Sequence, residues 1–331
     1  MVAHGPSCDR PRNEMKSTAI AMTDKPVEQP ETLRGFAFAG AAYLLWGFMP
    51  LVMKAVAHIP ASEVVAHRII WSLPVAAVVL LATRRTADVR AAFSSPRTLA
   101  MAALTAALIS VNWGIYVWAI AVDRTVETAL GYYINPLVTV VMGAVLLGEK
   151  LSHAQLVAVG LAVVAVAVLT WDAGGLPWVS LALALTFAAY GFLRKTLPIG
   201  PSQGFFLEVL ILTTPALAYI AYLATTGESS FAFDAPRDLA LLMVCGPITA
   251  IPLILYAFGA KLLKISTIGI MQYIAPTIIA VIAVFVFDEP FGTARIVAFV
   301  LIWTALAIYT SSMLAQRKAS AAEAVAATSV R

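Results

Sequence analysis

Residues 132–149 read YYINPLVTVVMGAVLLGE, and their pattern indicates the fold class most directly. From Leu137 to Leu147 it is continuously apolar apart from Thr139, whereas porin-type strands alternate apolar and polar residues. The run therefore predicts a helix. With the residues before it, over 125–147, the helix is long enough to cross a bilayer, which takes ~20 residues for ~30 Å of hydrocarbon.

Similar apolar runs continue in both directions, from about Arg34 to Leu314. Charges, prolines and glycines divide them into ten pieces with short connectors, which leave no room for a soluble domain. We predict an all-α integral membrane protein with ten transmembrane helices. The predicted spans are residues 35–54, 62–83, 98–122, 125–147, 152–171, 178–197, 203–224, 239–261, 266–287 and 292–314.

The composition of the 331 residues agrees, since 61% are apolar and 12% are charged. A soluble chain of this length cannot cover so much apolar surface with a polar exterior. A water-soluble enzyme, a nucleic-acid binder and a secreted disulfide scaffold are thereby excluded, and the lipid bilayer is the predicted partner. Cys8, Cys245 and the four histidines have no metal-binding spacing, so we expect no metal and no cofactor.

Lysine and arginine set the predicted orientation, because cytoplasmic segments carry an excess of them. With the N-terminus inside, the inside segments hold 17 of these residues and the outside segments 5. Ten spans return the chain to its starting side. We therefore expect both termini in the cytoplasm, with residues 1–33 a disordered tail and residues 315–331 a second tail.

An internal repeat accompanies the ten spans, because Tyr133-Ile134-Asn135-Pro136 aligns with Tyr273-Ile274-Ala275-Pro276 at an offset of 140 residues. Glu149 and Glu289 align at the same offset. The predicted copies are residues 34–172 and 173–314. Each has five spans, an odd number, so the second copy enters the membrane from the opposite side, as in many secondary transporters. Chance similarity between two proline-containing apolar helices is the alternative.

Several strings also resemble a known family, the RarD subfamily of EamA transporters in the drug/metabolite transporter superfamily. The resemblance covers residues 34–314, and its most specific parts are His67-Arg68 and the string Gly131-Tyr-Tyr-Ile-Asn-Pro136. Further strings that carry it are Tyr43-Leu-Leu-Trp46-Gly47, Asn112-Trp113, Leu147-Gly148-Glu149, Ala189-Tyr190-Gly191 and Gln272-Tyr273-Ile274-Ala275-Pro276.

That resemblance implies two inverted EamA repeats in the inner membrane of a bacterium and export or exchange of a small molecule. Ala275 stands where RarD-like sequences often have glycine. It does not specify the substrate, the coupling ion or the direction of transport. Whether the protein forms a homodimer is also left open.

Polar groups within spans are costly, so each needs a reason. Pro136 frees the carbonyl of Tyr132 beside Asn135, and Pro276 frees that of Gln272 beside Tyr273, so we expect broken helices in matching positions. The residues predicted to line a substrate site between the repeats are Trp46, Asn112, Tyr116, Tyr133, Asn135, Tyr190, Gln272 and Tyr273. Hydrogen bonding that merely joins helices is the other interpretation.

Charged residues near span ends are predicted to act in gating or coupling: Lys54, Glu63, His67, Arg68 and Arg194. Glu63 and His67 are four residues apart on one helix face and can bond, and His67 could then carry a proton. For proton-coupled transport the candidates are His67 or Glu127, since no Asp or Glu lies at mid-membrane. Arg194 or Lys195 is expected to pair with Glu208. Structural roles at helix ends are the alternative.

The function predicted from these residues is secondary transport by alternating access. No P-loop motif is present in the sequence, which argues against direct coupling to ATP. A membrane enzyme would need a nucleophile–base pair or a metal cluster, and no such motif occurs, so we predict that the chain is not an enzyme. A passive channel or a membrane scaffold is the alternative function.

Overall fold

The computed structural model describes residues 32–148, 150–231, 235–263 and 265–329. The predicted N-terminal tail falls, up to residue 31, outside the described residues, as does Glu149. The described residues form twelve helices: α1 Leu33–Ala55, α2 Ala61–Ala82, α3 Thr86–Phe93, α4 Pro96–Ala121, α5 Thr125–Leu147, α6 His153–Ala173, α7 Trp178–Thr196, α8 Pro201–Thr226, α9 Pro236–Leu262, α10 Ile265–Met271, α11 Ile274–Phe285 and α12 Thr293–Ser329.

The predicted fold class is confirmed, because every regular element in the described ranges is a helix. Nine helical segments there are long and apolar enough to cross a membrane, and a tenth, Trp178–Arg194, is apolar but shorter. Thr267–Phe285, which spans α10 and α11, counts as one of the nine. Sequence analysis did not predict α3, which lies in the connector between α2 and α4. The last helix continues beyond its apolar part, to Ser329.

Local sequence explains where several helices begin and end. Ser95 and Ser152 precede α4 and α6, and each hydroxyl accepts a hydrogen bond from a backbone N–H of the first turn. Gly148, Gly174 and Gly227 end α5, α6 and α8 in the left-handed conformation, with φ of 68°, 63° and 74°. These caps satisfy backbone groups that have no partner inside the helix.

The expectation of two matching broken helices is half right. The second copy is broken, since α10 ends at Met271 and α11 begins at Ile274, with Gln272 and Tyr273 in the turn between them. For the first copy the expectation is wrong, because α5 continues through Pro136 without a break. Close packing on α7 accounts for this: a Cβ on Gly131 would lie 2.8 Å from the Ser180 carbonyl oxygen, and Asn135 donates to the Ala184 carbonyl oxygen at 3.1 Å.

Helix packing follows an approximate two-fold pattern. In the first repeat α1 packs on α9 and α11, and in the second α7 packs on α4 and α5. The pairs α2–α8, α5–α11 and α6–α12 each join equivalent helices of the two repeats. The helices of the two repeats correspond in chain order: α1, α2, α4, α5 and α6 correspond to α7, α8, α9, α10–α11 and α12. If each helix is replaced by its counterpart, the same set of helix contacts results, as expected for two related five-helix units.

The two ends of the bundle can be named from the chain direction. The proximal end is the one at which α1 begins and α2 ends, and the distal end is the one at which α1 ends and α2 begins. The connectors α4–α5, α8–α9 and α11–α12 lie at the distal end, and the connectors α7–α8 and α9–α10 lie at the proximal end.

Glu289 joins the two repeats at the distal end. Its buried carboxylate accepts hydrogen bonds from the backbone N–H groups of Thr125 at 2.6 Å and Val126 at 2.8 Å. The carboxylate lies at the N-terminus of α5, where a negative charge is favourable, and it supplies acceptors to two otherwise unpaired donors. Its position at the end of its own span suggested pairing with a neighbouring helix, and the structure confirms this.

Glu289→Gln should lower the free energy of unfolding by about 1–3 kcal/mol, because a neutral amide offers one acceptor oxygen to two buried N–H groups. The measurement is thermal unfolding of the purified protein in detergent. Asp288→Asn is the matched control, since Asp288 is exposed and has a φ of 52°, which asparagine tolerates. Equal melting temperatures for the two variants would contradict this role of Glu289.

Gly246 lets α9 approach α2 closely. A Cβ there would overlap the backbone of Trp71 and Ser72, and the Ser72 hydroxyl donates to the Gly246 carbonyl oxygen at 3.1 Å. Gly246→Ala should therefore destabilise the protein by about 1–3 kcal/mol through overpacking.

Gly160→Ala is the control for this variant, because a Cβ on Gly160 within α6 would meet nothing within 4 Å. It should stabilise the helix by about 0.5–1 kcal/mol. Both variants are compared by their melting temperatures, and a Gly246→Ala protein as stable as the parent would refute the close approach.

Candidate functional site

A buried arginine stands at the interface between the repeats. Arg68, on α2, is 2% exposed. Its Nε donates to the Thr249 hydroxyl of α9 at 3.0 Å, and its Nη2 lies 3.6 Å from the sulfur of Met49 on α1. The guanidinium also lies over the ring of Trp113 on α4, 5.0 Å from its centroid. All of these partners are electrically neutral.

The remaining nitrogen, Nη1 of Arg68, is buried and has no hydrogen-bond partner among the described residues. Within the same ranges no carboxylate forms an ion pair with this side chain. Placing an ionised group in apolar surroundings without a counter-charge is expensive. This arrangement therefore calls for an explanation in terms of function.

Tyr116 and Tyr132 lie next to this arginine. Both are near enough to Arg68 to influence its charge, and their own rings are 5.9 Å apart. The hydroxyl of Tyr116 is buried without a partner in the part of the chain that the structure describes. We call the set formed by Met49, Arg68, Trp113, Tyr116, Tyr132 and Thr249 the central site; it combines α1, α2, α4 and α5 with α9 of the second repeat.

Asn112 orients one wall of the central site. Its Oδ1 accepts from the Tyr132 hydroxyl at 3.3 Å, and its Nδ2 donates to the Leu183 carbonyl oxygen at 3.1 Å and to the Thr186 hydroxyl at 2.9 Å. Because these bonds link α4 to α5 and α7, Asn112 has little capacity left for a ligand. Its geometry fits a role in positioning Tyr132.

Glu208 of the second repeat occupies the position equivalent to Arg68. Each is the eighth residue of its helix, and they are 140 residues apart. The Glu208 carboxylate accepts from the Tyr190 hydroxyl at 3.1 Å and lies 3.3 Å from Nε of Arg194, so the expected Arg194–Glu208 pair is confirmed. A Cβ on Gly204 would collide with the Arg194 guanidinium. In the second repeat the buried Glu208 therefore has a partner of opposite charge, whereas in the first repeat the equivalent Arg68 has none among the described residues.

The predicted bond between Glu63 and His67 is wrong. The Glu63 Oε1 accepts from the Ser230 N–H at 2.7 Å and from the Ser229 hydroxyl at 3.2 Å. His67 instead stacks on the ring of Phe231, with centroids 4.7 Å apart, and neither ring nitrogen has a described partner. The α8–α9 connector supplies donors to the carboxylate, a long-range contact that helix spacing cannot reveal.

Lys54 and Glu127 are held locally at the distal end. The Lys54 ammonium pairs with Asp123 and donates to the Ile120 carbonyl oxygen at 3.3 Å, which ties α1 to the end of α4. Glu127 forms a bidentate pair with Arg124 at 2.6 and 2.9 Å. Both arrangements are typical of structural ion pairs near a surface.

The other predicted lining residues form two aromatic contacts and one helix junction. Trp46 lies 5.7 Å from Tyr256 between α1 and α9, and Tyr133 stacks on Tyr273 at 6.3 Å. The Tyr133 hydroxyl is 2.5 Å from that of Thr277. Asn135 is half-buried against α7, and Gln272 is half-buried at the break between α10 and α11.

Comparisons with known proteins identify the family. Residues 33–171 match the model of the EamA-like transporter family. RarD of Streptomyces exfoliatus is 41% identical over 300 residues, which cover 90% of this chain and 95% of that protein. RarD of Escherichia coli K12 is 35% identical and covers 89% of this chain and 100% of its own. The chain belongs to the RarD subfamily of EamA transporters.

Two further similarities extend this assignment. A Bacillus subtilis protein named as the uncharacterized transporter YojE is 36% identical over 89% of this chain and 99% of its own. One solved crystal structure, 20% identical, superposes with a TM-score of 0.56 over 86% of this chain and 98% of that chain. The structural similarity shows that the fold is shared with a solved protein.

Sequence reasoning missed Met49, Tyr132 and Thr249 in this RarD-family chain. Threonines within apolar helices commonly bond to their own backbone, and Thr249 does donate to the Cys245 carbonyl oxygen at 2.7 Å. Nothing in the sequence shows that its hydroxyl also accepts from Arg68. For Tyr132, the available signals were its position next to Tyr133 and four residues before Pro136, and neither concerns its side chain.

Asn112→Ala should lower the free energy of unfolding by about 1–3 kcal/mol, because it leaves the Tyr132 hydroxyl without its acceptor and removes the two bonds from Asn112 to α7. Thermal unfolding in detergent measures the change. Ser110→Ala, on the same helix, is the control: the Ser110 hydroxyl bonds within α4, to the Ala107 carbonyl oxygen, so its removal should cost no more than about 0.5 kcal/mol. Similar losses in both variants would refute the positioning role of Asn112.

Proposed function

We propose that this RarD-family protein is a secondary transporter that moves a small molecule by alternating access around the central site. We place it in the inner membrane of a bacterium with both termini in the cytoplasm, acting as an exporter or exchanger. The observation that carries the proposal is the central site itself. It is a buried, partly unsatisfied polar group built where helices of both repeats meet, which is where transporters of inverted repeats bind their solutes.

Polar bonds between the repeats at the distal end support the proposal. His58 lies 3.0 Å from Asp238, the hydroxyls of Ser62 and Tyr219 are 2.7 Å apart, and Glu63 holds Ser230. Together with the Glu289 cap on α5, these contacts close the distal end. We interpret the structure as the conformation in which a solute at the central site cannot leave by that end.

The proximal end is held differently. Arg194 pairs with Glu208 and donates to the Pro201 carbonyl oxygen at 2.6 Å, and all three residues belong to the second repeat. This ion pair therefore stiffens the α7–α8 connection without tying one repeat to the other. Between the repeats, the described polar contact at the proximal end is the weak one of Ser152 and Ser312, whose hydroxyl oxygens are 3.5 Å apart. Unequal strength of the contacts at the two ends is what alternating access requires of each of its states.

A spectroscopic experiment tests this motion without a known substrate. One spin-label pair at Val122 and Glu228 reports the distal end, and another at Arg85 and Lys261 reports the proximal end. Each pair has one exposed position in each repeat. Glu63→Ala with Asp238→Ala should shift the distal distances to longer values and the proximal distances to shorter ones, because the mutations remove bonds that favour the distal-closed state.

Asp172→Ala is the matched control, since Asp172 is an exposed carboxylate at the end of α6. It should leave both distance distributions unchanged. Lengthening at the distal end with no shortening at the proximal end would instead indicate a passive channel. Unchanged distances in the double variant would indicate a rigid scaffold.

A further inference from the structure

We propose that Arg68 and Tyr116 bind the anionic oxygens of the transported solute, and that the solute is a small monocarboxylate with an apolar or aromatic body. The proposal rests on the transport function proposed above and names its substrate class. It begins from a difference between Arg68 and the other buried charges.

The other buried charges described above have charged or backbone partners. Glu208 pairs with Arg194, and Glu289 accepts from two N–H groups of α5. Glu63 accepts from the Ser230 N–H through Oε1, while its Oε2 has no described partner. Arg68 contacts a hydroxyl, a thioether and an aromatic face. A guanidinium is always charged, so this site carries one positive charge that the described residues leave without a counter-ion.

Two hydrogen-bond donors are available beside that charge. The Arg68 Nη1 and the Tyr116 hydroxyl are both buried, and neither has a partner in the described ranges. Trp113, over which the guanidinium lies, is three residues before Tyr116 and thus on the same face of α4. A carboxylate accepts several hydrogen bonds and is the group that guanidinium nitrogens recognise best.

The acceptors of the site, by contrast, are mostly occupied, and the exception is the oxygen of the unpaired Tyr116 hydroxyl. Asn112 Oδ1 accepts from Tyr132, and the Thr249 hydroxyl accepts from Arg68 while donating to the Cys245 carbonyl oxygen. A cationic solute would meet a fixed positive charge and few acceptors. The chemistry of the central site therefore selects an anion.

The single charge of Arg68 and the aromatic residues around it narrow the class of solute further. One guanidinium balances one negative charge, so a dianion would carry uncompensated charge into apolar surroundings. The aromatic rings near the guanidinium are those of Trp113, Tyr116 and Tyr132, with Phe187 edge-on to Tyr132 at 5.8 Å. Such aromatic surroundings suit a flat or apolar body attached to the carboxylate.

Binding of defined probes to the purified full-length protein tests the proposal. Benzoate and phenylacetate should raise the melting temperature in a concentration-dependent manner, because a ligand of the folded state stabilises it. Benzamide and phenylacetamide, which keep the shape and lack the charge, should have no effect at the same concentrations. Inorganic phosphate should also have none. Equal shifts with acids and amides, or no shift with any acid, would overturn the proposal.

Two substitutions locate the binding. Tyr116→Phe should weaken benzoate binding about 10-fold or more, since it removes one hydrogen bond to a charged group. Arg68→Gln should weaken it at least about 100-fold, since it removes the counter-charge together with its donors. The controls Tyr222→Phe and Arg295→Gln, at positions away from the central site, should bind benzoate as the parent does. Parental affinity in the Tyr116→Phe protein would refute the assignment.

Stability without ligand separates this role from a structural one. Because the Tyr116 hydroxyl and the Arg68 charge are incompletely satisfied, Tyr116→Phe and Arg68→Met should leave the ligand-free melting temperature unchanged or raise it. Loss of melting temperature in both variants would identify them as structural and overturn the proposal. If Arg68→Met does not fold, Tyr116→Phe decides.

Failure of this proposal is distinguishable from failure of the transport function. The binding measurements need no translocation, and the spin-label distances need no substrate. Opposed distance changes without carboxylate binding would reject the anion site and leave alternating access. Carboxylate binding with unchanged spin-label distances would reject alternating access and leave the anion site.

Discussion

The absence of water inside a bilayer is the constraint on which this structure depends. Each backbone polar group there must find a partner within the protein, so the chain crosses the apolar region as helices and satisfies their ends with caps. The Glu289 carboxylate on the first turn of α5 is the strongest example, because it serves two N–H groups of one repeat from a connector of the other. The same requirement makes the unpaired Nη1 of Arg68 conspicuous.

The two repeats share their packing pattern and differ in their polar chemistry. Arg68 and Glu208 stand at equivalent positions of α2 and α8, yet the second is paired with Arg194 and the first has neutral contacts. Likewise α5 runs through its proline whereas the second copy is broken between α10 and α11. A common fold with different side chains gives the protein a site that is asymmetric although its scaffold is nearly symmetric.

Prediction from the sequence succeeded where one helix or one short connector decides the outcome. Apolar runs located the spans, and the short distance from α7 to α8 indicated the Arg194–Glu208 pair. It failed for Glu63 and His67, whose helical spacing permits a bond, because the carboxylate accepts from Ser230, distant in the chain. Arg68 was predicted as a gating residue. Its neutral surroundings, from which an anion site is inferred, come from α1, α4 and α9.

The sequence by itself determined that the chain is an all-α membrane protein of ten apolar segments, since hydrophobic length is a local property that lipid selects directly. The internal offset of 140 residues also indicated the repeat. Which polar groups are satisfied and which are left available follows from the packing of the helices. That outcome depends on atoms brought together from helices far apart in the chain, and no local pattern encodes the distance between Arg68 and its nearest partners.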